Sequence, residues 1–269
     1  MKKKVISIIL CLCMILPFTL AAHAQEPLNY LLLGDSIAQG YGVYNRDKAC
    51  YGKIVADTNG YNYANYAVNG YRSCDLISQL GNPEVNAAVE KADIISLSIG
   101  GNDFLQQNLP RIAVEVLAGN YKIVNDVKEI FAENFAVIIG TIKELNPDVV
   151  ILVQTLYNPM KFVLGDFYGL ATVRVNEAIH EYLDENPDAF YLVDTAPVME
   201  NHPECIAVDT IHPSAVGNVA IAEIILDKLY ELGLGENTEP VINAVGIDEI
   251  PFTSYIVKFF VQLFRNIVR

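Results

Sequence analysis

The sequence predicts an α/β fold: a three-layer α/β/α sandwich built on a five-stranded parallel sheet, followed by a C-terminal amphipathic helix. Three observations predict it. Short continuous apolar runs alternate with stretches of helical periodicity over residues 26–235, the pattern of successive βαβ units. The first three of those runs end at glycine-bearing turns, as strands do where the chain reverses into a helix. The chain has 269 residues, 52% hydrophobic and 19% charged, enough to bury one large core.

The elements follow in order. Residues 28–33 form an apolar run that stops at Gly34 and reads as a buried strand. Residues 62–68, 93–99, 149–155 and 190–194 read as the other four strands. Continuous apolar runs rather than alternating ones imply a parallel sheet covered on both faces. Pro83 suits the first turn of a helix over residues 83–91. Residues 109–145 carry helical periodicity, broken near Gly119-Asn120. A helix over residues 171–185 ends at Asn186-Pro187, and a last one over residues 215–232 stops at Gly233.

The two ends lie outside this domain of residues 25–235. Lys2, Lys3 and Lys4 precede an apolar stretch over residues 5–20, and Ala22-His23-Ala24 offers a small-x-small cleavage site. Residues 1–24 therefore read as a signal peptide, and the protein as secreted or extracytoplasmic. Cleavage removes three lysines and no acids from a chain of net charge −14, so the mature protein is more acidic still. Such a surface repels phosphate backbones, which excludes nucleic acid as a partner. Cys50, Cys74 and Cys205 remain after cleavage, enough for one disulfide with one thiol left over, and the sequence does not choose the pair. After a polar linker, residues 251–269 place Phe252, Ile256, Phe259, Phe260, Leu263, Phe264 and Ile267 at three- and four-residue spacings beside Lys258, Arg265 and Arg269. That amphipathic, basic helix suits either a membrane surface or docking on this domain or a second copy of it.

Four polar clusters sit at the carboxyl ends of the strands or before the last helix, where open parallel sheets bind their ligands. Gly34-Asp35-Ser36-Ile37 turns sharply after the first strand and presents Ser36 at the start of the next segment. Read alone, it is a turn and cap sequence. Asn69-Gly70 offers a backbone N–H where no side chain intervenes. Gly100-Gly101-Asn102-Asp103 offers a carboxamide able to donate to a developing oxyanion. Asp209-Thr210-Ile211-His212-Pro213 puts a carboxylate three residues before an imidazole. That spacing lets Asp209 bond Nδ1–H and leaves Nε2 to take a proton. The other histidines are less telling: His23 leaves with the signal, His180 lies mid-helix, and His202 stands in a loop without a clear partner.

These four clusters, in this order, are similar to the motifs of the SGNH hydrolases, also called GDSL esterases/lipases. The resemblance covers about residues 28–230, with Ile37 standing where the family name has leucine. It implies a five-stranded parallel sheet between helices and a catalytic triad of Ser36 as nucleophile, His212 as general base and then acid, and Asp209 as its orienting partner. The oxyanion hole would comprise the N–H of Ser36, the N–H of Gly70 and the side chain of Asn102. No metal or cofactor is implied. The expected substrate is a small-molecule, lipid or glycan ester. A carbohydrate O-acetylesterase is an alternative within the class, and a catalytically inactive glycan-binding module is one outside it. Tyr41, Tyr44, Tyr51, Phe104, Tyr157, Phe162, Phe167 and Tyr168 are expected to make an aromatic rim around the site.

Overall fold

The computed structural model describes residues 26–107, 109–159 and 165–243. The signal peptide and the C-terminal helix expected at residues 251–269 lie outside the described residues. In chain order the strands are β1 (Asn29–Gly34), β2 (Asn62–Asn65), β3 (Ile94–Ser98), β4 (Val150–Gln154) and β5 (Tyr191–Val193). The helices before β3 are α1 (Ser36–Gln39), α2 (Arg46–Ala49), α3 (Tyr51–Asn59), α4 (Ser73–Leu80) and α5 (Pro83–Lys91). Between β3 and β4 come α6 (Gly101–Leu105), α7 (Leu109–Leu117) and α8 (Lys122–Leu145). After β4 come α9 (Gly165–Glu185), α10 (Ala196–Asn201) and α11 (Ala215–Glu231).

The strands form one all-parallel sheet in the order β2-β1-β3-β4-β5. Each central strand is buried on both sides, and its alternate residues feed two separate cores. Leu31, Leu33, Ile95, Leu97, Ile151 and Val153 face one core. There α8 buries Phe131, Phe135, Ile138, Ile139 and Ile142, one stripe at helical spacing. Tyr30, Leu32, Ile94 and Leu152 face the other core, covered by α3 and by Ile221, Ile225 and Leu229 of α11. Both faces are thereby covered, as the unbroken apolar runs require.

Two expectations change. Cys50, Cys74 and Cys205 are all free thiols, so no disulfide joins any two of them. Tyr51 and Phe104 are core residues at 0% and 3% exposure, and do not belong to a rim. Tyr51 opens α3 against the sheet, and Phe104 lies on the inward face of α6.

The sheet order positions the site. The chain leaves β1 for β2 on one side and returns past β1 to β3 on the other, so the loops after β1 and β3 diverge and leave a crevice. Gly34 brings the end of β1 against Ser98 at the end of β3. Its φ is +125°, and a Cβ there would stand 2.0 Å from the Ser98 carbonyl oxygen. Asp35 N–H then donates to that same oxygen at 3.0 Å.

Candidate active site

Ser36 is the first residue of α1, and Asp35 caps that helix: its Oδ1 accepts from Ile37 N–H at 2.9 Å. Asp35 is 2% exposed, and burial pushes its carboxyl up to about 7 despite that bond. Ser36 itself is 7% exposed.

Asn102 stands in the first turn of α6, and its Nδ2 donates to the Tyr71 carbonyl at 3.0 Å. A carboxamide nitrogen carries two hydrogens, so this bond orients the group and leaves one to donate. The neighbouring Asp103 fixes the same two segments a second time. Its buried carboxylate accepts from Ser73 N–H at 3.0 Å and from the Ser73 hydroxyl, which in turn accepts from Asn134 Nδ2 at 2.9 Å. The Asn69-Gly70 loop is thus tied to α6, and Gln106 Nε2 adds a bond to the Gly70 carbonyl. Gly70 has a φ of +85°, and a Cβ on it would meet nothing within 4 Å. Glycine is needed there for conformation and not for space.

His212 belongs to a tight turn. Ala207 N–H donates to the His212 carbonyl at 2.8 Å, and Thr210 N–H to the Ala207 carbonyl at 2.9 Å. Thr210 takes a φ of +64°, a conformation that non-glycine residues seldom adopt. Asp209 organises the turn from within: Oδ1 accepts from Ile211 N–H at 3.1 Å and His212 N–H at 3.0 Å, and Oδ2 lies 2.6 Å from His212 Nδ1. Burial alone would raise the Asp209 carboxyl. The bonds and charge of His212 outweigh it and bring the group down to about 2. An ionised carboxylate only accepts, so Nδ1 carries the proton and Nε2 is the free basic nitrogen. Tyr157 anchors the turn from β4's side by donating its hydroxyl to the Ile211 carbonyl at 2.8 Å.

Ser36, Asn102 and His212 line one cavity of about 160 Å³, with Asp35, Asn69 and Gly101 beside them. Ile37, Leu105, Leu156, Tyr157, Tyr168 and Ile211 make the largely apolar part of its lining. Asp209 stands behind His212, away from the cavity wall. Gly70 adjoins the cavity without lining it; Asn69 is the residue of that loop that does. Of the expected rim, Tyr157 and Tyr168 reach the cavity, and Tyr41 lies against His212 with ring centroids 4.6 Å apart. Tyr44 is 67% exposed. Phe162 and the side chain of Phe167 fall outside the described residues. Ile211 comes with the Asp209–Pro213 motif, and Leu105 and Leu156 open the segments 105–121 and 156–169 that the sequence places beside the site; all three line the cavity.

A five-stranded parallel sheet with a serine, a carboxamide and a histidine–aspartate pair gathered at one crevice defines a class: hydrolases acting on esters. Residues 32–220, more than half of the chain, match the family model of the GDSL-like lipases/acylhydrolases, and the protein belongs to that family. Among its relatives, the uncharacterized protein YpmR of Bacillus subtilis is 26% identical over 230 residues, 79% of this chain and 87% of that one. The spore germination lipase LipC of Bacillus licheniformis is 24% identical over 225 residues, 77% of this chain and 97% of its own. The solved structure of the lipase Lip_vut3 from a goat rumen metagenome shares the fold with a TM-score of 0.60 at 21% identity, covering 78% of this chain and 99% of that one.

Proposed function

We propose that this chain is an exported serine esterase that hydrolyses carboxylic esters through an acyl-enzyme on Ser36. One observation carries the reading: Ser36 and His212, far apart in sequence, line the same cavity, with Asp209 bonded to the imidazole's far nitrogen. Serine is a weak nucleophile at its ordinary pKa, so a neutral imidazole must take its proton as it attacks. His212 Nε2 does this, and Asp209 stabilises the imidazolium that forms. The tetrahedral intermediate places a negative oxygen among the N–H groups of Ser36 and Gly70 and the Asn102 amide. Each such donor lowers the barrier by about 3–4 kcal/mol. His212 then protonates the leaving alcohol, and water releases the acyl group by the same steps in reverse.

Ser36→Ala and His212→Ala should each abolish most turnover of a short aryl ester while the melting temperature stays near that of the parent. Ordinary turnover by purified Ser36→Ala refutes the assignment. Labelling of Ser36 by a fluorophosphonate separates an enzyme from an inactive glycan-binding module.

Leu105, Leu156 and Ile211 in the cavity lining suit the acyl part of an ester, and acetyl esters of carbohydrates stand beside lipid esters as candidate substrates. Parallel assays on short aryl esters, acetylated xylan and lysophospholipid distinguish the two. Export rests on sequence: the lysines, apolar stretch and cleavage site of residues 1–24.

A further inference from the structure

Between the nucleophile's helix and α2 the chain makes a short strap at residues 40–42. Gly40 and Gly42 take φ angles of +76° and +114°, so the strap bends twice in conformations that side chains resist. A Cβ on Gly42 would stand 2.5 Å from the Pro213 carbonyl oxygen and 3.0 Å from Cβ of His212. Only a bare backbone lets the strap lie this close to the histidine turn. Between the two glycines, Tyr41 N–H donates to the Ser36 carbonyl at 2.9 Å. Its ring packs against the His212 imidazole, centroid to centroid 4.6 Å, with the two planes tilted by 55°. One residue therefore touches both the nucleophile's backbone and the base's ring.

We propose that Tyr41 is a positioning residue, packing against the His212 ring while Asp209 holds its Nδ1 edge. The proposal rests on His212 being the general base. Asp209 fixes one point of the ring, about which the plane can still rock; a second, packing contact with Tyr41 restrains that freedom. A tyrosine face is also electron-rich and attracts a cation, so it favours the imidazolium that exists only once the serine proton has moved. Both effects act on the chemical step and not on substrate capture. They belong to the ring and not to the hydroxyl.

The experiment is steady-state kinetics on a short aryl ester for the mature parent, Tyr41→Ala, Tyr41→Leu and Tyr41→Phe, each also placed in a His212→Ala background. Misplacing a reacting group by about an ångström costs on the order of a hundredfold, so Tyr41→Ala should lower kcat about 10- to 100-fold. KM should stay within about twofold, the signature of an interaction made in the transition state alone. Tyr41→Phe should recover kcat to within about threefold of the parent. In the His212→Ala background, Tyr41→Ala should cost nothing further, because the residue through which it acts is gone. Tyr41→Leu keeps bulk without an aromatic face, and serves in place of Tyr41→Ala if that variant melts early. Three results overturn the proposal: an unchanged kcat in Tyr41→Ala, a loss in Tyr41→Phe as large as in Tyr41→Ala, or an equal loss with and without His212. Parent-like turnover by His212→Ala would instead overturn the assignment of the base, a failure separate from this one.

Discussion

Asp209 and Asp35 lie near the same cavity and are driven in opposite directions. Asp35 accepts a backbone bond from Ile37 N–H against nearly complete burial and is pushed up to about 7. Asp209 is also desolvated, but the imidazole and two backbone N–H groups hold it at about 2. The pairing of Asp209 has a consequence for stability as well as for catalysis. Its carboxyl is lower in the folded protein than in the unfolded chain, where it is near 4. The unfolded chain therefore takes up the proton first as the solution is acidified. The stabilisation is fully present above about pH 4 and is lost as the pH falls toward 2; at neutral pH it is on the order of 2 kcal/mol. Asp209→Asn should accordingly be less stable than the parent at pH 7, and the gap should close between pH 4 and 2. Urea unfolding at both ends of that range measures it. The same variant should lose about 10⁴-fold in kcat, since an asparagine no longer enforces the tautomer with Nε2 free.

Elements were legible where their own sequence dictated them. The helix over residues 83–91 and the break near Gly119-Asn120 stand where the periodicity placed them, because caps and helix breakers are local signals. The five strands agree in number and order, with ends differing by at most three residues. α3 was not legible. Gly52, Ile54, Val55 and Thr58 are poor helix formers, and the segment is helical because it fills the space between the sheet and α11. Gly52 itself serves that packing: a Cβ there would stand 2.3 Å from the Leu32 side chain. The site divides the same way. Motifs announced Ser36, Asn69, Asn102, Asp209 and His212, and Tyr41 was expected on the rim, whereas the packing of Tyr41 on His212 and the apolar lining depend on contacts between distant segments. Tyr51 and Phe104 were misread because an aromatic near a strand end faces inward or outward according to its neighbours. The closest approach between strands gives a test at this scale. Gly34→Ala would force a methyl group into the end of β3 in a conformation that alanine resists. It should destabilise the protein by about 3 kcal/mol, read as a fall in the urea midpoint.

Among the described residues the molecule is held by two apolar cores, one on each face of the sheet, and by no bond between Cys50, Cys74 and Cys205. Buried Cys50 even spends its thiol on a contact with the Ala38 carbonyl at 3.3 Å, in the helix that carries Ser36. On the proposed export, protein recovered from the culture medium should begin at Gln25; with its thiols free, it should titrate three of them once unfolded and melt at the same temperature with and without reductant. A first residue other than Gln25 in N-terminal sequencing contradicts the cleavage site, and a reductant-dependent melting temperature contradicts the free thiols. The separation of Ser36 from His212 bears on how the protein comes into being. A ribosome delivers the nucleophile early and the base among the last turns of the domain, and α11 must seat before the histidine turn has a floor. On the reading of Ser36 and His212 as partners, a nascent or prematurely terminated chain cannot cut esters, however much of the sheet it has built. On that reading, hydrolytic power arrives only once the histidine turn and α11 are in place.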